Sequence, residues 1–84
     1  MSRGNKREIV FRDDADYAAF VVMMRKACKR IPMRVLAWCL MPNHFHLVLW
    51  PHADGDLSRW MHWLLTTHVR RQCYRYGTIG RIWQ

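Results

Sequence analysis

Apolar residues recur at three- and four-residue spacing in two long segments of the chain, and they run almost continuously in the segment between them. In the first segment this spacing gives one apolar stripe, which predicts an amphipathic helix. Asp13 and Asp14 precede it as an N-cap and a first-turn negative charge, and Pro32 ends the helix near Arg30. The stripe comprises Tyr17, Phe20, Val21, Met24 and Cys28.

A second stripe follows Asp56, which is placed to cap a helix of about twenty residues. Gly77 is the candidate for a left-handed cap at the end of this helix. The stripe comprises Leu57, Trp60, Met61, Leu64, Leu65, His68, Val69 and Cys73. Methionine is unbranched and adaptable, so the core gaps are expected to be filled by Met23, Met24, Met33 and Met61.

Two strands are predicted between the helices, over residues 33–40 and 44–50. Pro42 and Asn43 form the turn between these strands, and Pro51 closes the second strand. So short a connection requires the two strands to pair antiparallel.

The predicted order is a short strand at residues 9–11, a helix, two strands and a second helix, with residues 82–83 approaching a further strand. Two helices on one face of a small antiparallel sheet make an α+β fold, which we expect to be a single domain over residues 1–84. A ferredoxin-like unit has the order βαββαβ, so this fold would be incomplete. Its open sheet edges favour pairing with a second copy of the chain.

The charge of the chain points to a polyanionic partner. Lys and Arg total 14 against 6 acidic residues, which gives a net charge of +8. Nucleic acid is the first candidate, an anionic membrane surface is the second, and a solvated basic face without a partner is the alternative.

The odd number of cysteines without a Cys-x-x-Cys pair predicts reduced thiols and a cytoplasmic location. We expect neither a signal peptide nor a membrane span.

Two histidines interrupt the second predicted strand. His44 and His46 point to the same face, whereas Phe45 points to the opposite face, because side chains alternate along a strand. Their Cα atoms lie roughly 6 to 7 Å apart, so the two imidazoles can converge on one cation. The pair would be half of a site, because catalytic metal sites usually have three protein ligands. The alternative is two polar side chains on the solvated face of a sheet.

The segment MPNHFHLVL, residues 41–49, resembles the His-hydrophobic-His signature of the IS200-like transposases. The closer resemblance is to the branch associated with repetitive extragenic palindromes. Supporting similarity lies in residues 2–5, 11–14 and 80–84, so the resemblance covers essentially the whole chain.

The resemblance implies that His44 and His46 bind a divalent cation, Mg²⁺ or Mn²⁺, which acts as a Lewis acid at the scissile phosphate. It also implies a tyrosine on a later helix that cleaves and rejoins DNA through a 5′-phosphotyrosine link. The implied substrate is single-stranded DNA with hairpins of the palindromic type, and the implied assembly is a homodimer. The tyrosine and the third metal ligand of the family would follow Gln84, so we expect a truncated chain without cleavage activity. The alternatives are a non-catalytic DNA-binding remnant and, less favoured, a zinc-bound structural domain.

Basic and aromatic side chains provide the candidates for DNA contact. A basic N-terminal arm and the arginines of the second helix would contact phosphates, and Trp63, which lies off the apolar stripe, would stack on a base. Trp60 lies on the stripe and is expected in the core. Tyr17, Tyr74 and Tyr76 are expected at the core edge with their hydroxyls in water. The full set of predicted contacts is Arg3, Lys6, Arg7, Asn43, Arg59, Trp63, Arg70, Arg71 and Arg75.

Overall fold

The computed structural model describes the strand at residues 2–3 and residues 11–77. Its elements follow the order that the sequence predicts. They are β1 (Ser2–Arg3), α1 (Asp14–Arg30), β2 (Met33–Met41), β3 (His44–Pro51) and α2 (Asp56–Tyr76). Of the described helices, none has the length and apolarity needed to cross a membrane.

The three strands form one antiparallel sheet in the order β1-β3-β2, so β3 lies at its centre. The α+β prediction is confirmed, and the elements match the first five of a ferredoxin-like unit. β1 lies earlier than predicted. Phe11 belongs to no strand but is a buried residue whose N–H donates to the Pro42 carbonyl at 2.9 Å. Ile9, Val10 and residues 82–83 lie outside the described residues.

Helix α1 begins and ends where its caps predict. The Asp13 carboxylate accepts a hydrogen bond from the Asp16 N–H at 3.1 Å, which satisfies one of the first-turn donors. At the other end, the Ile31 N–H donates to the Ala27 carbonyl, and the backbone there is extended. The predicted stripe is rotated slightly, since Tyr17, Val21 and Cys28 are only partly buried. The fully buried face consists of Asp16, Phe20, Met23, Met24 and Ala27.

Helix α2 has a different N-cap from the predicted one. The cap is Gly55, whose φ of 84° lies in the left-handed region that glycine adopts without steric cost. Asp56 is the first helical residue, and its buried carboxylate pairs with Arg59. Gly77 ends the helix with φ 67°, and its N–H donates to the Cys73 carbonyl at 2.8 Å, which confirms the predicted C-cap. Leu57 was predicted in the core, but it is exposed because it lies on the outer side of the first turn.

The core lies between the two helices and one face of the sheet. Phe20, Phe45, Leu47, Trp60 and Leu64 have no exposed area. Burial of large apolar side chains is the main force that holds the helices on the sheet. The prediction for the methionines is confirmed, because all four are buried, as is that for Trp60.

A β-bulge interrupts the pairing of β2 with β3. Val35 pairs with Leu49 and Ala37 pairs with Val48, so Leu36 is the extra residue. The bulge keeps Val35 and Trp38 on the same side of the sheet although they are three residues apart. The opposite side of β2 and β3, called here the open face, has neither α1 nor α2 against it. It carries Arg34, Ala37, Cys39, Met41, His44, His46, Val48 and Trp50.

Candidate metal and nucleic-acid site

The two histidines of β3 lie side by side on the open face. The rings of His44 and His46 have centroids 5.2 Å apart and an interplanar angle of 84°, and both side chains are partly exposed. Phe45 and Leu47 point into the core with no exposed area, which fixes the strand and therefore the direction of both imidazoles. The predicted alternation is present, and both rings are within reach of solvent.

Asn43, in the turn before β3, orients the first imidazole. Nδ1 of His44 lies 2.9 Å from Oδ1 of Asn43. The amide oxygen only accepts, so Nδ1 donates, and the neutral ring then carries its lone pair on Nε2. A hydrogen bond of this kind fixes the tautomer and direction of metal-binding histidines. Asn43 therefore has a positioning role at the pair, beside its predicted role as a DNA contact.

The donor set suits part of a coordination sphere. The described residues contain no group of three or more His, Cys, Asp or Glu side chains that is arranged to hold a metal ion. Two adjacent imidazoles fit two positions, and phosphate oxygens and water are the usual further ligands of Mg²⁺ and Mn²⁺. Imidazole nitrogen favours a transition metal such as Mn²⁺ over Mg²⁺, which prefers oxygen. A zinc-bound structural domain stays a prediction.

On β2 and β3, the residues around the pair are mostly apolar and carry no negative charge. Cys39 pairs with His46 and Met41 pairs with His44 in the register of β2 and β3, so their sulfur-bearing side chains share the open face. Neither β2 nor β3 contains an acidic residue. A phosphate that approaches the histidines across the sheet therefore meets no carboxylate on these strands.

A second polar cluster, which the sequence analysis did not foresee, joins the two helices around the buried carboxylate of Asp16. Arg71 donates to Oδ1 at 2.6 Å and Arg75 donates to the same oxygen at 2.8 Å. The Arg12 N–H and the Tyr76 hydroxyl donate to Oδ2, each at 2.9 Å. Arg75 also pairs with Asp13 at 2.7 Å. We call these residues the Asp16 cluster: Arg12, Asp13, Asp16, Arg71, Arg75 and Tyr76.

Hydrogen bonds decide the ionisation of Asp16. Burial alone would raise the pKa of this carboxyl, but the hydrogen bonds from Arg71, the Arg12 N–H and Tyr76 together outweigh burial and hold the pKa well below its usual range. Burial and the bond to Asp16 raise the pKa of the Tyr76 phenol. The cluster is therefore an ionised carboxylate held by charged and neutral donors at one end of the helix pair.

The predicted DNA contacts on α2 divide into two groups. Arg71 and Arg75 belong to the Asp16 cluster, so the structure gives them an intramolecular role that the sequence analysis missed. Arg70 is exposed, and Arg59 pairs with Asp56 while its side chain is 62% exposed. Their role in DNA binding stays a prediction.

Trp63 was predicted to lie off the apolar stripe and stack on a base, but it is less exposed than that role suggests. It is partly buried, packs against the core, and has the Arg30 guanidinium 5.2 Å from its ring centroid. Lys6, Arg7 and the side chain of Arg3 lie outside the described residues.

The tyrosines differ in their surroundings. Tyr17 stacks on Phe11 with ring centroids 4.7 Å apart. The Tyr76 hydroxyl was expected in water, but it donates to Asp16 because the last turn of α2 lies beside the first turn of α1. Tyr74 is 93% exposed. It extends from α2, and the sheet separates this helix from the open face.

The described residues thus form an α+β domain with paired imidazoles on an uncovered antiparallel sheet. The family model described as IS200-like transposase matches residues 1–84, and the chain therefore belongs to the IS200-like transposase family. No curated protein and no solved structure matches the chain. A transposase acts on DNA, so DNA is the partner that the family indicates.

Proposed function

We propose that this chain binds single-stranded DNA with a hairpin and presents His44 and His46 to a phosphate of that strand. The supporting observation is the pair of partly exposed rings, 5.2 Å apart, on the open face of a protein with a net charge of +8. The parent activity is DNA strand cleavage and rejoining in transposition, dependent on a divalent cation and a tyrosine. The family membership supports the transposase part of this proposal.

His44 and His46 would hold the cation through ring nitrogens, and Asn43 keeps the first ring in the tautomer with Nε2 available. When bound, Mg²⁺ or Mn²⁺ supplies charge stabilisation at a phosphoryl oxygen. Phe45 anchors the strand in the core, so the two rings keep their mutual placement without help from a ligand. This preorganisation reduces the ordering cost of binding.

The DNA backbone would contact cations outside the Asp16 cluster. Arg59 and Arg70 are exposed on α2, and Arg3, Lys6 and Arg7 would act as a basic arm. We also propose a homodimer, because β2 lies at an edge of the described sheet and offers unpaired backbone groups to a second copy.

The test of the metal site is a Mn²⁺ titration followed by electron paramagnetic resonance. His44→Ala and His46→Ala should each weaken Mn²⁺ binding at least roughly tenfold, because either change removes one of two protein ligands. His62→Ala is the matched control, since His62 is exposed on α2 and away from the open face. Equal Mn²⁺ affinity in all four proteins would contradict the proposed site.

The test of the DNA partner compares a hairpin-bearing single strand with an unstructured strand of the same length. Tighter binding of the hairpin, with affinity that falls steeply as salt rises, is expected for phosphate contacts to a structured strand. Equal affinity for the two strands would remove the hairpin from the proposal.

A non-catalytic DNA-binding module is the second candidate, and the positions of the tyrosines favour it for the 84-residue chain. Tyr17 and Tyr76 are engaged in packing and in the Asp16 cluster, and α2 lies behind the sheet. We expect no covalent adduct when this chain is incubated with Mn²⁺ and end-labelled single-stranded DNA. A phosphotyrosyl adduct that survives denaturing electrophoresis would instead show that this chain itself cleaves DNA.

A further inference from the structure

The open face carries an exposed tryptophan on the same strand as the histidines. His44, His46, Val48 and Trp50 alternate with the inward-facing residues of β3, so all four point to one side. Trp50 is 62% exposed although tryptophan is usually well buried. Neither core packing nor the metal site explains its position.

Arg34 is the register partner of Trp50 on β2. Directly opposite residues of an antiparallel pair have Cα atoms about 4.5–5.5 Å apart, so their side chains leave the sheet side by side. An indole ring stacks on the face of a base, and a guanidinium donates to phosphate oxygens. The two side chains therefore supply both kinds of contact that one nucleotide needs.

On β2 and β3, no acidic residue lies between this pair and the histidines. Ala37 and Val48 form the register pair between them, and both have small side chains. The four residue steps from His46 to Trp50 span about 13 Å at the strand rise. That distance covers roughly four nucleotides at the stacked rise of ~3.4 Å, and fewer in an extended strand.

We propose that Trp50 and Arg34 form a nucleotide subsite for single-stranded DNA, with the base on the indole and a neighbouring phosphate on the guanidinium. The subsite positions the strand that passes over His44 and His46. It rests on the proposed function, because it requires the strand to lie along the open face. The absence of acidic residues from β2 and β3 favours this polyanion over a second copy of the chain as the occupant.

The test measures binding of a fluorescent single-stranded oligonucleotide by anisotropy at fixed salt. Trp50→Ala should weaken binding roughly 5- to 100-fold, and Trp50→Phe should recover much of the loss, because a base stacks on any aromatic ring. Arg34→Ala should lower the slope of log affinity against log salt by about 0.7, as for one lost phosphate contact. Trp38→Ala is the matched control, since Trp38 is 51% exposed on the helix side of the sheet.

An abasic scan of the oligonucleotide locates the stacked base. At one position the missing base should weaken binding by the wild-type protein but not by Trp50→Ala, because the two changes remove the same contact. Circular dichroism of each variant confirms that it is folded.

The outcomes separate the subsite from the proposed function. The subsite would be overturned if Trp50→Ala bound DNA with wild-type affinity, or if Trp38→Ala and Trp50→Ala lost the same amount of DNA affinity. DNA binding by the protein would still stand in both cases. A change of oligomeric state in Trp50→Ala with unchanged DNA affinity would assign the face to a second copy. If the wild-type protein binds no single-stranded DNA, the proposed function fails and the subsite fails with it.

Discussion

The carboxylate of Asp16 accepts a hydrogen bond from Arg71 at 2.6 Å, which joins the first turn of α1 to the C-terminal part of α2. The two residues are 55 positions apart in the chain. The Asp16 side chain has no exposed area, whereas that of Arg71 is 26% exposed. The pair therefore closes one end of the helix layer with a buried anion and a partly solvated cation.

Asp16→Asn should lower the free energy of unfolding by about 2–4 kcal/mol, because it removes the charge that compensates two arginines and leaves strong donors poorly matched. Urea unfolding followed by circular dichroism measures the change. Asp14→Asn is the control, since Asp14 lies in the same turn but is exposed. A similar, small change in both variants would show that the Asp16 cluster does not stabilise the fold.

The stability of the wild-type protein should fall in acid because of the same carboxyl. The pKa of Asp16 is lower in the folded chain than its ordinary value of 3.8, so the unfolded chain binds the proton first. The stabilisation is fully present above pH 3.8 and is lost as the pH falls below that value toward the folded pKa. The free energy of unfolding, measured from pH 6 to pH 2, should therefore fall less steeply with decreasing pH in Asp16→Asn than in the wild type. The same dependence on pH in both proteins would contradict this assignment.

Arg70 and Arg71 are neighbours in the sequence, but their substitutions should have different effects. Arg70→Ala removes an exposed cation and should lower the salt slope of single-stranded DNA binding by about 0.7 without changing the unfolding midpoint. Arg71→Ala removes the partner of Asp16 and should lower the unfolding midpoint. Anisotropy and urea titrations of the two variants check the contrast, which would be lost if Arg71 were mainly a DNA contact.

Asn43→Ala should weaken Mn²⁺ binding roughly tenfold, because the His44 ring loses the hydrogen bond that fixes its tautomer. The loss should be smaller than in His44→Ala, which removes the ligand itself. Asn43→Asp keeps an acceptor at the same position and should retain binding. An Asn43→Ala protein with wild-type Mn²⁺ affinity would show that the ring needs no such support.

The elements with strong local signals were predictable from the sequence. Both ends of α1 and the C-terminal end of α2 are set by the local geometry of single residues, namely Asp13, Pro32 and Gly77. The placement of the His44 and His46 side chains follows in the same way, because strand alternation is a local rule.

Features that depend on contacts between distant segments were not predictable in the same way. Asp16 lies three residues after Asp13, a spacing similar to a capping box, and this is the one local sign of its role. Its partners on α2 become visible only when the helices are packed. Trp63 lies off the apolar stripe of α2, yet it reaches the core edge under Arg30 of the neighbouring helix. Periodicity within one helix carries no information on such a neighbour.

The extra residue in β2 decides which side chains accompany the histidines. If Leu36 were instead paired with Val48 in regular register, with the alignment at Met33 unchanged, the second half of the strand would be inverted. Cys39 and Met41 would then turn toward Phe20 and Trp60, and Trp38 and Leu40 would surround the imidazoles. A shift of one residue in the pairing would thus replace thiol and thioether by indole and isobutyl groups beside the metal-binding candidates, although every histidine would remain in place.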